Sequence, residues 1–327
     1  MSVVRWGIIG LGMGRHHCGH IAKMENATLV AVADLDESRG KEAEEKLGVK
    51  WYQDYKEMVR ADDVDVVMVC TPSGLHAQMG IVAAEAGKHM LVEKPIDVTL
   101  EAADRLIETC HKSGVKLGVS LQNRFSRLNT LIKEQIEAGT FGKLLLGEAR
   151  VKWSRSQAYY DQGGWRGTWK MDGGGAIMNQ SVHYIDLLQW FLGKVDTIAA
   201  KTATMTHQIE TEDLALAIVT FENGAFGTIL GATCLEPKPD TTEIYVHGTE
   251  GFSGNGLNGE LVGNIVTSET QNVRQWPAHP IDDMTAAILE NRSPYITGEE
   301  GRKSLSIIHA LYQSTREGRE VKVSYSS

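Results

Sequence analysis

The sequence predicts an α/β protein in two parts: an N-terminal doubly wound parallel sheet, and a C-terminal α+β domain with a large, mainly antiparallel open sheet. Three observations carry that expectation. The chain has 327 residues, long for one domain and comfortable for two. Through residue 120, short apolar runs alternate with helix-length stretches, as βαβ units do. Beyond Gln122 the strands lengthen and alternate in polarity, as half-buried antiparallel strands do.

Segments 3–10, 29–34, 64–70, 89–93 and 116–120 read as strands. Their near-continuous apolar character fits a sheet covered on both faces. Between them, 37–47 and 76–86 read as helices. The boundary falls between 122 and 123, so the domains are 1–122 and 123–327. In the second, helices are expected around 128–137 and 176–191, and strands at 144–153, 215–221, 225–233 and 242–247. The turn Glu222, Asn223, Gly224 carries an Asn-Gly hairpin signal. The glycine-rich stretch 248–263 continues the sheet, and a helix at 301–317 closes the chain.

Composition removes several function classes. The formal net charge is −9 with no basic stripe, which argues against nucleic acid as a partner. Cys18, Cys70, Cys110 and Cys234 lie far apart without a CxxC pair, the usage of reduced thiols in a cytosolic protein. No apolar run reaches membrane-spanning length, and the N-terminus lacks the apolar core of a signal peptide. The expected location is the cytoplasm. His16, His17, His207, His247 and His279 show no ligand spacing, so no metal is expected.

The first strand runs into Gly10, Leu11, Gly12, Met13 and Gly14, which open a helix. Glycines there permit a tight turn and close approach of backbone to a pyrophosphate, which the helix N-terminus attracts. Asp34 ends the second strand, where an acid accepts hydrogen bonds from ribose hydroxyls and repels a 2′-phosphate. A Rossmann domain binding NAD is the expectation; Arg39 nearby leaves NADP open. Arg15 stands where the third glycine of GxGxxG would fall, and Gly14 arrives one residue early. Helix–sheet packing there must differ accordingly.

Two more motifs carry a family likeness. Cys70, Thr71, Pro72, Ser73, Gly74, Leu75 and His76 end the third predicted strand, and Glu93, Lys94, Pro95 end the fourth. With Gln122 to Phe125, Gly164 to Arg166, and the run Asp172 to Asn179 leading to His183, the chain resembles the Gfo/Idh/MocA oxidoreductases over nearly its whole length. The resemblance implies that Thr71, Pro72 and His76 line the nicotinamide end of the cofactor site, and that Glu93 and Lys94 sit beside the nicotinamide ribose. It makes Lys94 the catalytic lysine and places Gln122 near the carboxamide. Trp165 and Arg166 match a pair that reaches the cofactor from the second domain. Asn179 and His183 match a polar pair that is often Asp-x-x-x-His, so the carboxylate some members use is missing here. A homodimer or homotetramer formed through the second domain is also implied.

Oxidising a secondary alcohol sends a hydride to the nicotinamide and a proton to a base. Lys94 is one candidate base, if partly desolvated, and His183 the second. Asn179 and His183 share a helix face, which Asp186 can also join. Residues 153–169 hold Trp153, Tyr159, Tyr160, Trp165 and Trp169 with Arg155 and Arg166. Aromatic faces among polar donors suit a hydroxylated ring, with Tyr159 and Trp169 as candidates. Arg155 or Arg124 could pair with a substrate carboxylate or phosphate. The same segment can also be read as a packed loop over the cofactor. The run Gly173, Gly174, Gly175 suggests either an anion site or close backbone approach.

The leading reading is therefore a dehydrogenase acting on a sugar, cyclitol, sugar acid or related polyol. A glycosidase using NAD for transient oxidation and elimination is the alternative. A non-catalytic sensor is a third, though it would be expected to lack Lys94 or His183.

Overall fold

Apolar strands joined by helices build the first sheet of this computed structural model, which describes residues 3–236 and 240–325. The elements in order are β1 (Val4–Ile9), α1 (Gly14–Ile21), β2 (Ala27–Ala33), α2 (Glu37–Leu47), β3 (Lys50–Tyr52), α3 (Tyr55–Val59), β4 (Val66–Val69), α4 (His76–Glu85), β5 (His89–Val92), α5 (Leu100–Ser113) and β6 (Leu117–Val119). All strands pair in parallel, in the order β3-β2-β1-β4-β5-β6. This is the doubly wound dinucleotide-binding order, whose topological switch lies between β1 and β4. Helix ends follow local chemistry. Asp36 accepts from the amides of Ser38 and Arg39 at the start of α2, and Gly48 ends it in the left-handed region. All five strands read from the sequence are present; the three-residue edge strand β3 is too short to show a pattern.

The second unit contains α6 (Arg127–Glu137), β7 (Leu144–Lys152), α7 (Gln157–Asp161), a π turn (Ala176–Ser181) running into α8 (Val182–Leu192), β8 (Val195–Ala203), β9 (Leu214–Phe221), β10 (Phe226–Ala232), β11 (Thr241–Gly248), β12 (Gly251–Asn255) and β13 (Leu261–Gly263). With β14 (Val321–Lys322), which follows α9 (Pro280–Leu289) and α10 (Gly298–Glu317), they form an eight-stranded sheet, β13-β12-β11-β7-β10-β9-β8-β14. Every pairing is antiparallel except β7 with β10. The Asn-Gly turn joins β9 to β10: Gly224 sits at φ 84, and Phe221 N–H donates to the Ala225 carbonyl. Along β9, Ala215, Ala217 and Val219 face inward while Leu216 and Ile218 face outward.

Contacts divide the chain differently from the single cut expected at 122/123. One unit comprises Met1–Ser120 with Ala278–Arg302, the other Leu121–Pro277 with Lys303–Ser327. Residues 278–302 return to the first unit because α9 completes its core. Ile281 and Met284 are fully buried with Trp6 and Ile8, Trp6 Nε1 donates to Thr285 Oγ1 at 3.2 Å, and Arg302 pairs with Asp104. Among the described residues, no helix is long and apolar enough to cross a membrane. Among them too, no group of three or more His, Cys, Asp or Glu could hold a metal ion.

Candidate functional site

The glycine turn after β1 sits where the sheet reverses direction. Gly10 has φ +92, and a Cβ there would lie 2.7 Å from the Cys70 carbonyl oxygen at the end of β4. Only glycine meets both demands. A Cβ at Gly12 would meet nothing within 4 Å, so the fold leaves open space over that residue. Gly14 does the work expected of the third glycine: a Cβ there would fall 2.7 Å from Ile8 Cγ2. Close helix–strand packing has thus moved one residue earlier. Arg15, relieved of it, points to Glu42 at 2.7 Å. No side chain caps the start of α1, which leaves the helix end to an anion.

Asp34 has a structural task beyond the expected one. Its Oδ2 accepts from the Leu11 amide at 2.7 Å, and its Oδ1 from the Asp36 amide at 2.8 Å. The carboxylate therefore ties the glycine turn to the end of β2. Each oxygen retains lone-pair capacity for a ribose hydroxyl. Exposed Arg39 lies with Nε 3.2 Å from Asp36 Oδ2, in the first turn of α2.

Two strands along from β2, the ends of β4 and β5 carry the next motifs. His76 is 1% exposed. Its Nδ1 lies 2.8 Å from the Pro95 carbonyl oxygen and its Nε2 2.9 Å from that of Thr71. The ring nitrogens thus face one backbone carbonyl from each loop, and the one that carries the proton donates to its carbonyl, so His76 ties this region together. The Thr71 hydroxyl is buried without a hydrogen-bond partner, and Pro72 is half-buried beside it. Lys94 is half-buried and precedes Pro95 through a cis peptide. The neighbouring Glu93 carboxylate accepts from the Lys94 amide at 3.2 Å and lies 2.8 Å from His17 Nε2.

His17 was not a candidate from the sequence, because its partner Glu93 is remote in the chain. The fold also brings His279 within 5.7 Å of His17 and 4.3 Å of His20, ring to ring. Burial, helped by the charges of His20 and His17, pushes His279 down to about 4. Neutral at ordinary pH, its Nδ1 accepts the Ile281 amide at the start of α9.

In the second unit, Asn179 lies in the π turn and His183 in the first turn of α8, both half-buried. Asn179 is held by a carboxylate seven residues before it. Asp172, 1% exposed, accepts from Asn179 Nδ2 at 2.5 Å and from the Gly167 amide at 2.8 Å. The glycine run is explained by what lies against it. A Cβ on Gly175 would be 2.0 Å from the Glu212 carbonyl oxygen, and one on Gly174 would be 2.0 Å from the Tyr312 hydroxyl. Close approach fits the glycine run, and the acceptor at this turn is internal: Glu212 Oε1 accepts from the amides of Gly175 and Ile177. Burial pushes the Glu212 carboxyl up to about 7. Glu212 and Tyr312 escaped the sequence reading because nothing local marks them; Asp172 was visible only as part of a motif.

The arginines separate into distinct environments. Arg124 is a correction to the substrate-contact set: it is 4% exposed, and its Nε and Nη2 each donate at 2.7 Å to Asp186, itself 1% exposed. A guanidinium fork closed on a buried carboxylate serves the fold and is not offered to a substrate. Asp186 is accordingly occupied. Arg155 pairs with Asp240 at 2.7 Å and stacks over Trp153, 4.5 Å from the ring centre. It lines an open cavity of about 460 Å³ with Ser154, Ser156, Tyr159 and Glu236. Arg166 lies over both Tyr159 and Trp165, at 4.8 and 4.9 Å. The Tyr159 hydroxyl accepts from Gln180 Nε2, which links this cluster to the π turn. Trp169 is 47% exposed and meets Tyr312 edge to face. Gln122 is exposed at the start of a short 3-10 turn.

The chain is similar to known proteins over nearly its whole length. A family profile described as the oxidoreductase family GFO/IDH/MocA, NAD-binding Rossmann fold, matches residues 4–121. A second, the GFO/IDH/MocA C-terminal domain, matches residues 130–252. The sequence is 28% identical to a myo-inositol 2-dehydrogenase of Thermotoga maritima, covering 98% of both chains. The WlbA dehydrogenase of Bordetella pertussis, solved in complex with NADH and UDP-GlcNAcA, matches with a TM-score of 0.89 and 32% identity over 99% of each chain. An alpha-N-acetylgalactosaminidase of Shewanella oneidensis is 30% identical over 52% of this chain and 40% of its own length.

Proposed function

Because the chain belongs to the GFO/IDH/MocA oxidoreductase family, we propose that it is an NAD-dependent dehydrogenase of a sugar, cyclitol or sugar acid, with Lys94 and His183 handling the proton. One observation carries the reading. Lys94 follows the carboxyl end of β5, on the same sheet edge as the Gly10 turn, with only β4 between the two strands. Ligands of open parallel sheets bind at that edge.

The first unit fits a dinucleotide on its own chemistry. Open space over Gly12, an uncapped α1 and the Asp34 carboxylate at the end of β2 match pyrophosphate and ribose in turn. NAD is favoured, since Asp34 would repel a 2′-phosphate and Arg39 is engaged by Asp36. Gln122, Trp165 and Arg166 are assigned to the nicotinamide end by family likeness. NAD, when bound, would supply the hydride acceptor or donor. Lys94, half-buried at its strand end, takes or gives the carbinol proton, and Glu93 holds the backbone that presents it. His183 is the second proton carrier. Asn179, oriented by Asp172, is assigned to a substrate hydroxyl, and Arg155, Tyr159 and Trp169 to the rest of the ring.

The test is a panel of cyclitols, sugar acids and nucleotide sugars, each with NAD and NADP, followed by reduced-cofactor absorbance. Lys94→Ala should abolish turnover while NADH still binds; full activity in that variant removes Lys94 from the reaction. The partial likeness to a glycosidase keeps one other outcome in the panel: aglycone release with no net change in absorbance. We also assign self-association to the outer face of the large sheet, where Leu216, Ile218 and Phe226 are exposed. Light scattering that finds only monomer at high concentration would remove that assignment.

A further inference from the structure

We propose that Glu212 is the positioning residue for the Asn179–His183 segment, holding its helix in register by gripping three consecutive amides at its start. The proposal rests on the roles assigned above to Asn179 and His183.

A helix begins with amides that have no partner inside it. The usual remedy is a capping side chain one residue before the helix. Here that residue is Gly175, which has none. Glu212, two residues before β9, supplies the cap instead. Its Oε1 accepts from the Gly175 amide at 3.1 Å and the Ile177 amide at 2.8 Å. Its own carbonyl accepts from the Ala176 amide between them, at 3.0 Å. The Tyr312 hydroxyl, from α10, donates to the same Oε1 at 3.0 Å. Glycine at 174 and 175 is what lets the chain come this close.

The site is fully enclosed. Glu212 is 3% exposed, and its Oε2 has no hydrogen-bond partner. Burial pushes its carboxyl up and the Tyr312 hydroxyl further up still. In such surroundings the four hydrogen bonds are strong and their loss is not made good by water.

The helical type shows why the grip matters beyond stability. Ala176–Ser181 is a π turn, and a π turn holds an extra residue relative to an α turn. Release of its first amides would let it relax toward α geometry. A slip of one residue rotates a side chain by about 100° around the helix axis. Asn179, inside the turn, would shift relative to Asp172, and the bond between them would break.

The experiment compares Glu212→Ala, Glu212→Gln, Tyr312→Phe and His183→Ala. It measures kcat and KM on the best substrate of the panel, NADH binding by fluorescence, and amide hydrogen exchange across residues 175–183. Glu212→Ala should lower kcat by on the order of 10- to 100-fold, the usual cost of ångström-scale misplacement, with the NADH Kd unchanged. Glutamine keeps an acceptor for all three donors, so Glu212→Gln should restore most of kcat. Wild-type kcat in Glu212→Ala overturns the proposal, as does a Gln variant as impaired as Ala. If Glu212→Ala does not fold, Tyr312→Phe decides: it removes the hydroxyl's bond to Glu212 Oε1 and its bond to the Met178 amide, so exchange is read at 175 and 177, the amides that the Glu212 side chain itself holds; faster exchange there with reduced kcat supports the proposal, and unchanged exchange overturns it. Full turnover in His183→Ala would instead show that the reading of His183 has failed; exchange at 175–183 then still decides whether Glu212 holds the segment.

Discussion

Glu212→Gln should remove a pH-dependent loss of stability that the natural protein carries between weakly acidic and weakly basic solution. The Glu212 carboxyl is raised from an ordinary value of 4.5 to about 7, first of all by burial. Below 4.5 the group is protonated in both folded and unfolded chains, and its contribution to stability is complete. Between the two values the unfolded chain has lost this proton while the folded chain keeps it. Unfolding then releases a proton, so stability falls as pH rises until the folded group has also ionised. At roughly 1.4 kcal/mol for each pH unit of that interval, the full loss is about 3 kcal/mol. That is a large share of the ~5–15 kcal/mol of a typical domain. Glutamine does not titrate, so the variant keeps what the carboxylate loses. Urea denaturation at pH 5, 6, 7 and 8 measures this, read by tryptophan fluorescence. Trp153, Trp165, Trp169, Trp190 and Trp276 all lie in the unit that contains Glu212. Other carboxylates titrate alike in both proteins and cancel in the difference. The stability of the variant relative to wild type should rise by about 2–3 kcal/mol from pH 5 to pH 8. A difference that stays flat with pH would refute the argument, because the buried carboxyl would then ionise as it does in water.

Three other outcomes follow from the geometry. Arg124→Met should destabilise by about 3–5 kcal/mol, since it leaves the Asp186 charge buried alone, and the double change with Asp186→Leu should recover most of that loss in a denaturation cycle. Gly14→Ala should cost about 1–3 kcal/mol through its clash with Ile8, whereas Gly12→Ala, with open space around it, should leave the denaturation midpoint unchanged and weaken NADH binding in titration. Asp34→Ala should weaken NADH by about 10- to 100-fold, the worth of a charge-assisted hydrogen bond, and narrow the gap to NADPH; an unchanged preference in paired titrations would separate Asp34 from cofactor choice.

Much of the fold was legible because it is written in local periodicity. The five strands of the parallel sheet announce themselves as short Val- and Ile-rich runs between helix-length stretches, and the Asn-Gly signal at 223–224 marks a real hairpin. Contiguous motifs were equally visible: the glycine turn, Asp34 at a strand end, and Lys94 after β5 all owe their positions to a few neighbouring residues. What stayed hidden depends on partners distant in sequence. Residues 278–302 read as one more piece of the second domain, until the burial of Ile281 and Met284 against Trp6 returns them to the first unit. Arg124 looks like a free cation until Asp186 closes on it, and nothing local shows that the His76 ring lies between the carbonyls of Thr71 and Pro95. Gly14 shows how the levels combine. The sequence alone placed a glycine one residue early; only the packing of α1 on β1 shows that the close contact moved with it. A chain determines by itself whatever is set by neighbours within a turn or a strand, because backbone sterics and side-chain alternation act at that range. Which carboxylate caps which helix, and which charge is buried with which, is decided only when burial removes water and forces remote groups to satisfy one another.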